Sequence, residues 1–97
     1  MTTGTQVLDA PVIDEPREGA RVENRVRLKG TGEAGATVQV TTAVENRLVL
    51  TVSVLADGTW AGTAAEDLLE GTVRISALQT LGQVTSPASQ VRVFTVK

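Results

Sequence analysis

The chain has 97 residues, 9 basic and 11 acidic, with a net charge of −2 and neither cysteine nor histidine. That length suits one domain with a single modest core. The charge balance gives no electrostatic reason to expect nucleic acid or an anionic membrane as partner, and without cysteine the fold must stand on its core rather than on disulfides.

Aromatic residues make up only 2% of the chain, Trp60 and Phe94. Valine and threonine stand in their place, and such β-branched residues favour pleated, half-buried surfaces. In chain order, residues 1–8 are small and polar and read as a flexible lead or linker; residues 9–97 read as the domain. With no basic start and no apolar stretch, the first residues are not expected to act as a signal peptide, and no apolar run reaches transmembrane length. Pro11 to Asp14 forms a short strand between two prolines, which belongs at a sheet edge because proline cannot donate to a ladder.

"NRVRLKG" alternates, with Val26 and Leu28 on one side and Arg25, Arg27 and Lys29 on the other. After "GTGEAG", the run "ATVQVTTAV" puts Val38 and Val40 inward. A hairpin turn at 45–47 leads to "LVLTVSVLA", in which Leu48, Leu50, Val52 and Val54 share a face. Asp57-Gly58 makes a turn before a short strand carrying Trp60. "AAEDLLEG" is too short for a stable helix and reads as one helical turn or a loop crossing. "TVRISALQT" turns Val73, Ile75 and Ala77 inward, and "LGQVTSPAS" reads as a loop. In "QVRVFTVK", Val91 and Val93 are out of phase with Phe94 and Val96, which predicts a bulge or twist. About seven short strands with regular turn signals describe an all-β fold, a seven-stranded antiparallel β-sandwich. Its core is expected from Val26, Leu28, Val38, Val40, Leu50, Val52, Trp60, Val73, Ile75 and Phe94.

"GTGEAG", residues 30–35, fits the glycine pattern of a dinucleotide-binding loop. That loop needs a helix after its third glycine to hold the pyrophosphate. The run after Gly35 alternates and is β-branched, so the segment is a turn between strands, with glycines supplying positive φ.

Taken together, Pro11 with Ile13, Pro16 with Gly19, Gly30 to Val38, Val54 with Asp57 to Trp60, Leu69 with Gly71-Thr72, and Thr85 to Pro87 resemble a bacterial immunoglobulin-like domain. Such domains occur in tandem arrays in large surface adhesins and biofilm-associated proteins. The resemblance covers residues 10–96 and implies an immunoglobulin-like sandwich outside the cell or at its surface, acting as a structural module in cell adhesion. The sequence departs from the pattern at Ala34, at Val73 and in "TLGQV", which lacks the acidic and amide residues usual there.

No residue set supports catalysis, so no enzyme activity and no catalytic or cofactor-binding residues are assigned. Hydrolytic triads of the usual kind rest on histidine as base, with serine or cysteine as nucleophile, and the chain has neither histidine nor cysteine. Asp14-Glu15 and Glu66-Asp67 read as solvated surface charge, and Asp14 and Glu15, as neighbours on a strand, point to opposite faces. Calcium needs six to eight oxygens, and no loop of the usual spacing is present. A calcium ion at a domain junction, with Asp9 or Asp14 and a neighbouring domain, has no motif behind it, so no metal ligand is named. Trp60 is the one candidate ligand contact, as a sugar-stacking platform, against its reading as a core or edge plug. Arg25, Arg27 and Lys29 with Arg74 and Arg92 suggest a basic stripe on one face, more readily paired with glutamates than with phosphate. Lys29 with Asn24 or Asn46 would be the pair for an internal isopeptide bond, but the alternation turns Lys29 outward.

The functional expectation is a non-catalytic spacer in a larger surface or secreted adhesin-like protein, with neighbouring domains of the same parent chain as partners. The alternatives are a binding module for a glycan or host protein using end loops 30–35, 57–60 and 80–87, and an accessory domain of a secreted polysaccharide-active enzyme.

Overall fold

A computed structural model describes residues 8–97. The expected flexible lead over residues 1–8 lies outside that range except for Leu8, whose side chain is buried.

Among the described residues, nine strands form two sheets: β1 (Val12–Glu15), β2 (Arg21–Val22), β3 (Arg27–Thr31), β4 (Thr37–Thr42), β5 (Leu48–Ser53), β6 (Thr59–Thr63), β7 (Gly71–Leu81), β8 (Val84–Thr85) and β9 (Arg92–Val96). Seven of them have four residues or more. The small sheet has the order β1-β3-β6, and the large one β2-β9-β7-β4-β5, with β8 pairing the far end of β7. No helix occurs among the described residues, and 64–70 crosses between the sheets as a loop.

All pairings are antiparallel except β2 with β9, which run parallel through Arg21↔Thr95 and Val22↔Val96. The N-terminal strand therefore divides. β1 belongs to the small sheet, and after Pro16 the chain changes layer and lies along β9 in the large one.

The core lies between the layers. Ile13, Leu28 and Trp60 of the small sheet meet Val38, Val40, Leu50, Ile75, Ala77 and Phe94 of the large one. The period-2 alternation of each strand turns these residues inward together. Val26, just before β3, is buried as expected; Val52 and Val73 are only partly buried and flank the core.

Three local readings need correction. In β5, Val40↔Leu50 is followed by Thr41↔Leu48, so Val49 is an extra residue opposite β4. The bulge resets the alternation: Val49 is buried, and Leu48 is 59% exposed instead of facing the core. In β9 no bulge occurs, since the register with β7 runs unbroken from Gly71↔Val96 to Ile75↔Arg92. Phe94 and Val96 simply point inward, leaving Val91 exposed and Val93 half-buried. The segment 80–87 is less of a loop than expected, because β7 runs on to Leu81 and turns back into β8.

Candidate functional site

"GTGEAG" carries the chain from the small sheet into the large one. Gly30 lies within β3, residues 32–35 make the crossing, and β4 starts at Thr37. Only Gly35 has a positive φ, 85°. Gly30 and Gly32 answer a different need. A side chain at Gly30 would overlap the Val12 carbonyl oxygen and sit 2.7 Å from the Trp60 ring, and one at Gly32 would sit 2.7 Å from Gln79 Oε1. The first two glycines therefore permit close approach rather than a turn conformation.

Trp60 fills the space that Gly30 leaves. It is 1% exposed, and its Nε1–H donates to the Thr31 carbonyl at 2.9 Å. With the ring enclosed and its polar handle satisfied inside the protein, no ring face is open for a sugar to stack on, so the structure places Trp60 as a core plug. A glycan platform needs solvent-facing aromatic surface, and Phe94, the other aromatic residue, is fully buried.

The three end loops named from the sequence do converge. Gly32 N–H donates to the Gly58 carbonyl at 2.9 Å, and Gln79 bridges 30–35 to the end of β7. Gln79, 3% exposed, is the residue that sequence reading missed. Its Oε1 accepts from Glu33 N–H at 2.9 Å, and its Nε2 donates to the Asp9 carbonyl at 2.6 Å. Its backbone N–H donates to Ser86 Oγ at 3.0 Å, while its carbonyl accepts from Ser86 N–H at 2.8 Å. A buried amide can be retained only with such partners. The signal was its phase: Gln79 continues the inward series Val73, Ile75, Ala77.

Asp57 opens the turn before β6. Its Oδ1 accepts from Thr59 Oγ1 at 2.7 Å and from Thr59 N–H at 3.0 Å. Hydrogen bonds to the charged form, first from the Thr59 hydroxyl and then from its backbone, lower the Asp57 pKa below the ordinary 3.8.

The expected basic stripe does not assemble. Arg27 and Lys29 lie on β3 of the small sheet, with Arg25 just before it, whereas Arg74 and Arg92 lie on β7 and β9 of the large one. Several of these cations have carboxylate neighbours instead: Lys29 with Glu15 at 3.9 Å, Arg25 with Asp67 at 3.7 Å and Arg92 with Glu18 at 3.7 Å. Lys29 faces solvent beside Glu15, and the Asn24 side chain is engaged with both backbone groups of Leu68, so these two do not form an isopeptide pair. Asp9 and Asp14 join no group of three potential metal ligands among the described residues.

At the opposite end of the sandwich, a cleft of about 330 Å3 opens between the β4–β5 hairpin and the 64–70 crossing. Its lips carry Val44 (81% exposed), Leu48 and Leu69 (80% exposed), with Glu45, Glu66 and Glu70 beside them.

No family model matches the chain, and no curated protein matches it. Two solved structures do. One is described as "Biofilm associated protein - BSP domain"; it is 27% identical with a TM-score of 0.72, over 92% of this chain and 14% of that one. The other is from "Structures of Clostridium thermocellum CbhA fibronectin(III)-like modules", 20% identical with a TM-score of 0.64, over 90% of this chain and 94% of that one. The second likeness concerns the fold. The first extends to sequence, although this chain spans about a seventh of that protein's length. The chain is an immunoglobulin-like β-sandwich, similar in both fold and sequence to a domain of a biofilm-associated protein.

Proposed function

We propose that this domain is a non-catalytic spacer of a larger bacterial cell-surface or secreted adhesin-like protein, placed outside the cell and flanked by other domains of the same parent chain. The observation that carries this reading is how the two chain ends are held. Leu8 and Asp9 sit at the pole of Gln79, and Lys97 leaves at the opposite pole, where Val96 pairs with Gly71. A segment entering at one pole and leaving at the other adds the length of β7 to a string of domains, about 33 Å at the usual rise per residue.

The strand arrangement suits tension. From Leu8 to Val22 the chain runs from one pole to the other, and β9 runs the same way beside it. Gly19 N–H donates to the Val93 carbonyl at 2.7 Å, Thr95 N–H to the Ala20 carbonyl at 2.8 Å, and Lys97 N–H to the Val22 carbonyl at 3.0 Å. Pulling the ends apart slides these two segments past each other. The bonds, lying across the pull, are loaded together rather than opened one at a time.

The test is the native context. An antibody to this domain, applied to fractionated cells and medium of the source organism, should reveal a much longer polypeptide in the envelope or the medium. A native polypeptide no longer than this chain, or one confined to the cytoplasm, would overturn the proposal.

A further inference from the structure

Although the stripe expected from the sequence does not assemble, a different set of cations comes together where the first strand changes layer. β1 pairs with β3 only as far as Glu15↔Lys29, and beyond Pro16 the chain departs to lie along β9. Arg27, two residues from Lys29 on β3, keeps Thr63 of β6 on one side and, among the described residues, has no strand on the other. The departure leaves an open groove of about 910 Å3, bordered by that end of β3 and by β2. Arg17, Arg21, Arg25, Arg27 and Lys97 line it. These are five of the nine basic residues of a chain whose net charge is −2, so positive charge is concentrated here against the overall balance.

The carboxylates nearest the groove are drawn elsewhere. Glu15, on its rim, lies 3.9 Å from Lys29; Glu18 lies 3.7 Å from Arg92 and accepts from Val93 N–H. Arg25 is paired with Asp67 at 3.7 Å. Among the described residues, the guanidinium groups of Arg17, Arg21 and Arg27 have neither an ion pair nor a hydrogen-bond partner, and all three residues are exposed. Like charges gathered in one place repel one another, and a bound anion relieves that repulsion.

We infer that this groove binds an acidic polysaccharide through the carboxylates of its sugars. The arginine fork takes a carboxylate through two parallel hydrogen bonds. Carboxylates spaced along a sugar chain leave room for Glu23 on the same rim, where an acceptor suits sugar hydroxyls. A nucleic acid fits less well. Its closely spaced phosphates would meet Glu15 and Glu23, and unpaired bases would find no aromatic platform, since Trp60 and Phe94 are both buried. The groove lies apart from the end loops 30–35, 57–60 and 80–87, and the inference does not depend on the spacer reading.

Calorimetric titration of the chain with polygalacturonate should show saturable binding that weakens as salt rises. The methyl ester of the same polymer, which keeps the sugars and loses the charge, should not bind. Arg21→Gln with Arg27→Gln should weaken binding by about tenfold or more, while Trp60 fluorescence shows an intact core. Arg17→Gln alone should weaken it in the same direction. Arg47→Gln with Arg74→Gln removes the same amount of charge beside the cleft of Val44 and Leu69, and should bind as the native chain does. No binding at low salt would overturn the inference, and so would equal binding of the methyl ester. Equal losses from the two pairs of substitutions would also overturn it, as would duplex DNA binding where polygalacturonate does not.

Discussion

Trp60 Nε1–H donates to the Thr31 carbonyl at 2.9 Å, one residue along β3 from Gly30, the ladder partner of Trp60. The ring packs where Gly30 has no side chain, and the indole bonds to the next residue of the same strand. Trp60→Phe should therefore cost about 1–3 kcal/mol for the orphaned carbonyl. Trp60→Ala, which also empties the core, should cost about 3–5 kcal/mol. Urea denaturation curves measure both.

Gly30→Ala should be the more damaging of two glycine replacements, at about 3 kcal/mol, because its methyl group meets the Val12 carbonyl and the Trp60 ring together. Gly35→Ala meets nothing closer than Leu81 at 3.9 Å and carries only the cost of its positive φ, about 1–2 kcal/mol. Equal effects in a denaturation series would refute the close-approach argument.

Gln79→Ala should free the entry of the chain. It removes the bonds to the Asp9 carbonyl and to Glu33 N–H, at about 2–3 kcal/mol in total. Hydrogen exchange should quicken first at Glu33, which loses its acceptor, while the amides of β7 and β9 near Gly71 keep their protection.

Asp57 has its carboxylate favoured in the folded state by Thr59, so its contribution to stability is present above pH 3.8 and is lost as the pH falls through the lower folded value. NMR titration should place its midpoint below 3.8, and Thr59→Ala should move it upward. Asp57→Asn should remove this part of the acid sensitivity. An Asp57 midpoint that Thr59→Ala does not shift would show that the hydroxyl is not its cause.

Thr95→Pro removes the N–H that bonds to Ala20 on the β2 side of β9. A polyprotein of the variant, pulled from its ends, should unfold at lower force than the native domain. Thr51→Pro, on the free edge of β5, should leave the force unchanged. Indistinguishable forces for Thr95→Pro and the native chain would mean that the parallel pair does not resist the pull.

Much of this fold is legible because alternation and burial coincide. Val26 with Leu28, Val38 with Val40, and Ile75 with Ala77 declare their faces in the sequence. Leu48 misleads because a bulge is a property of two strands together, and nothing within "LVLTVS" marks Val49 as the extra residue. The parallel pairing of β2 is hidden for a similar reason, since two residues carry no periodicity. At the candidate site, the turn character of "GTGEAG" is plain from the alternating run after it, but the need for Gly30 and Gly32 comes from Val12, Trp60 and Gln79, distant in sequence. Whether Trp60 was plug or platform could not be read from its neighbours, because its enclosure depends on β1 and β3.

The parallel pair of β2 and β9 also sets a condition on synthesis. Phe94 and Val96 belong to the final strand of the domain, and both are buried in the core. A nascent chain with these residues still inside the ribosome lacks both the side chains that fill the large sheet and the partner that fixes Arg21 and Val22 in place. Closure must wait until β9 has cleared the exit tunnel. A polypeptide cut short before Arg92 would keep the residues of every other strand, yet β2 would have no partner and the core would lack Phe94 and Val96.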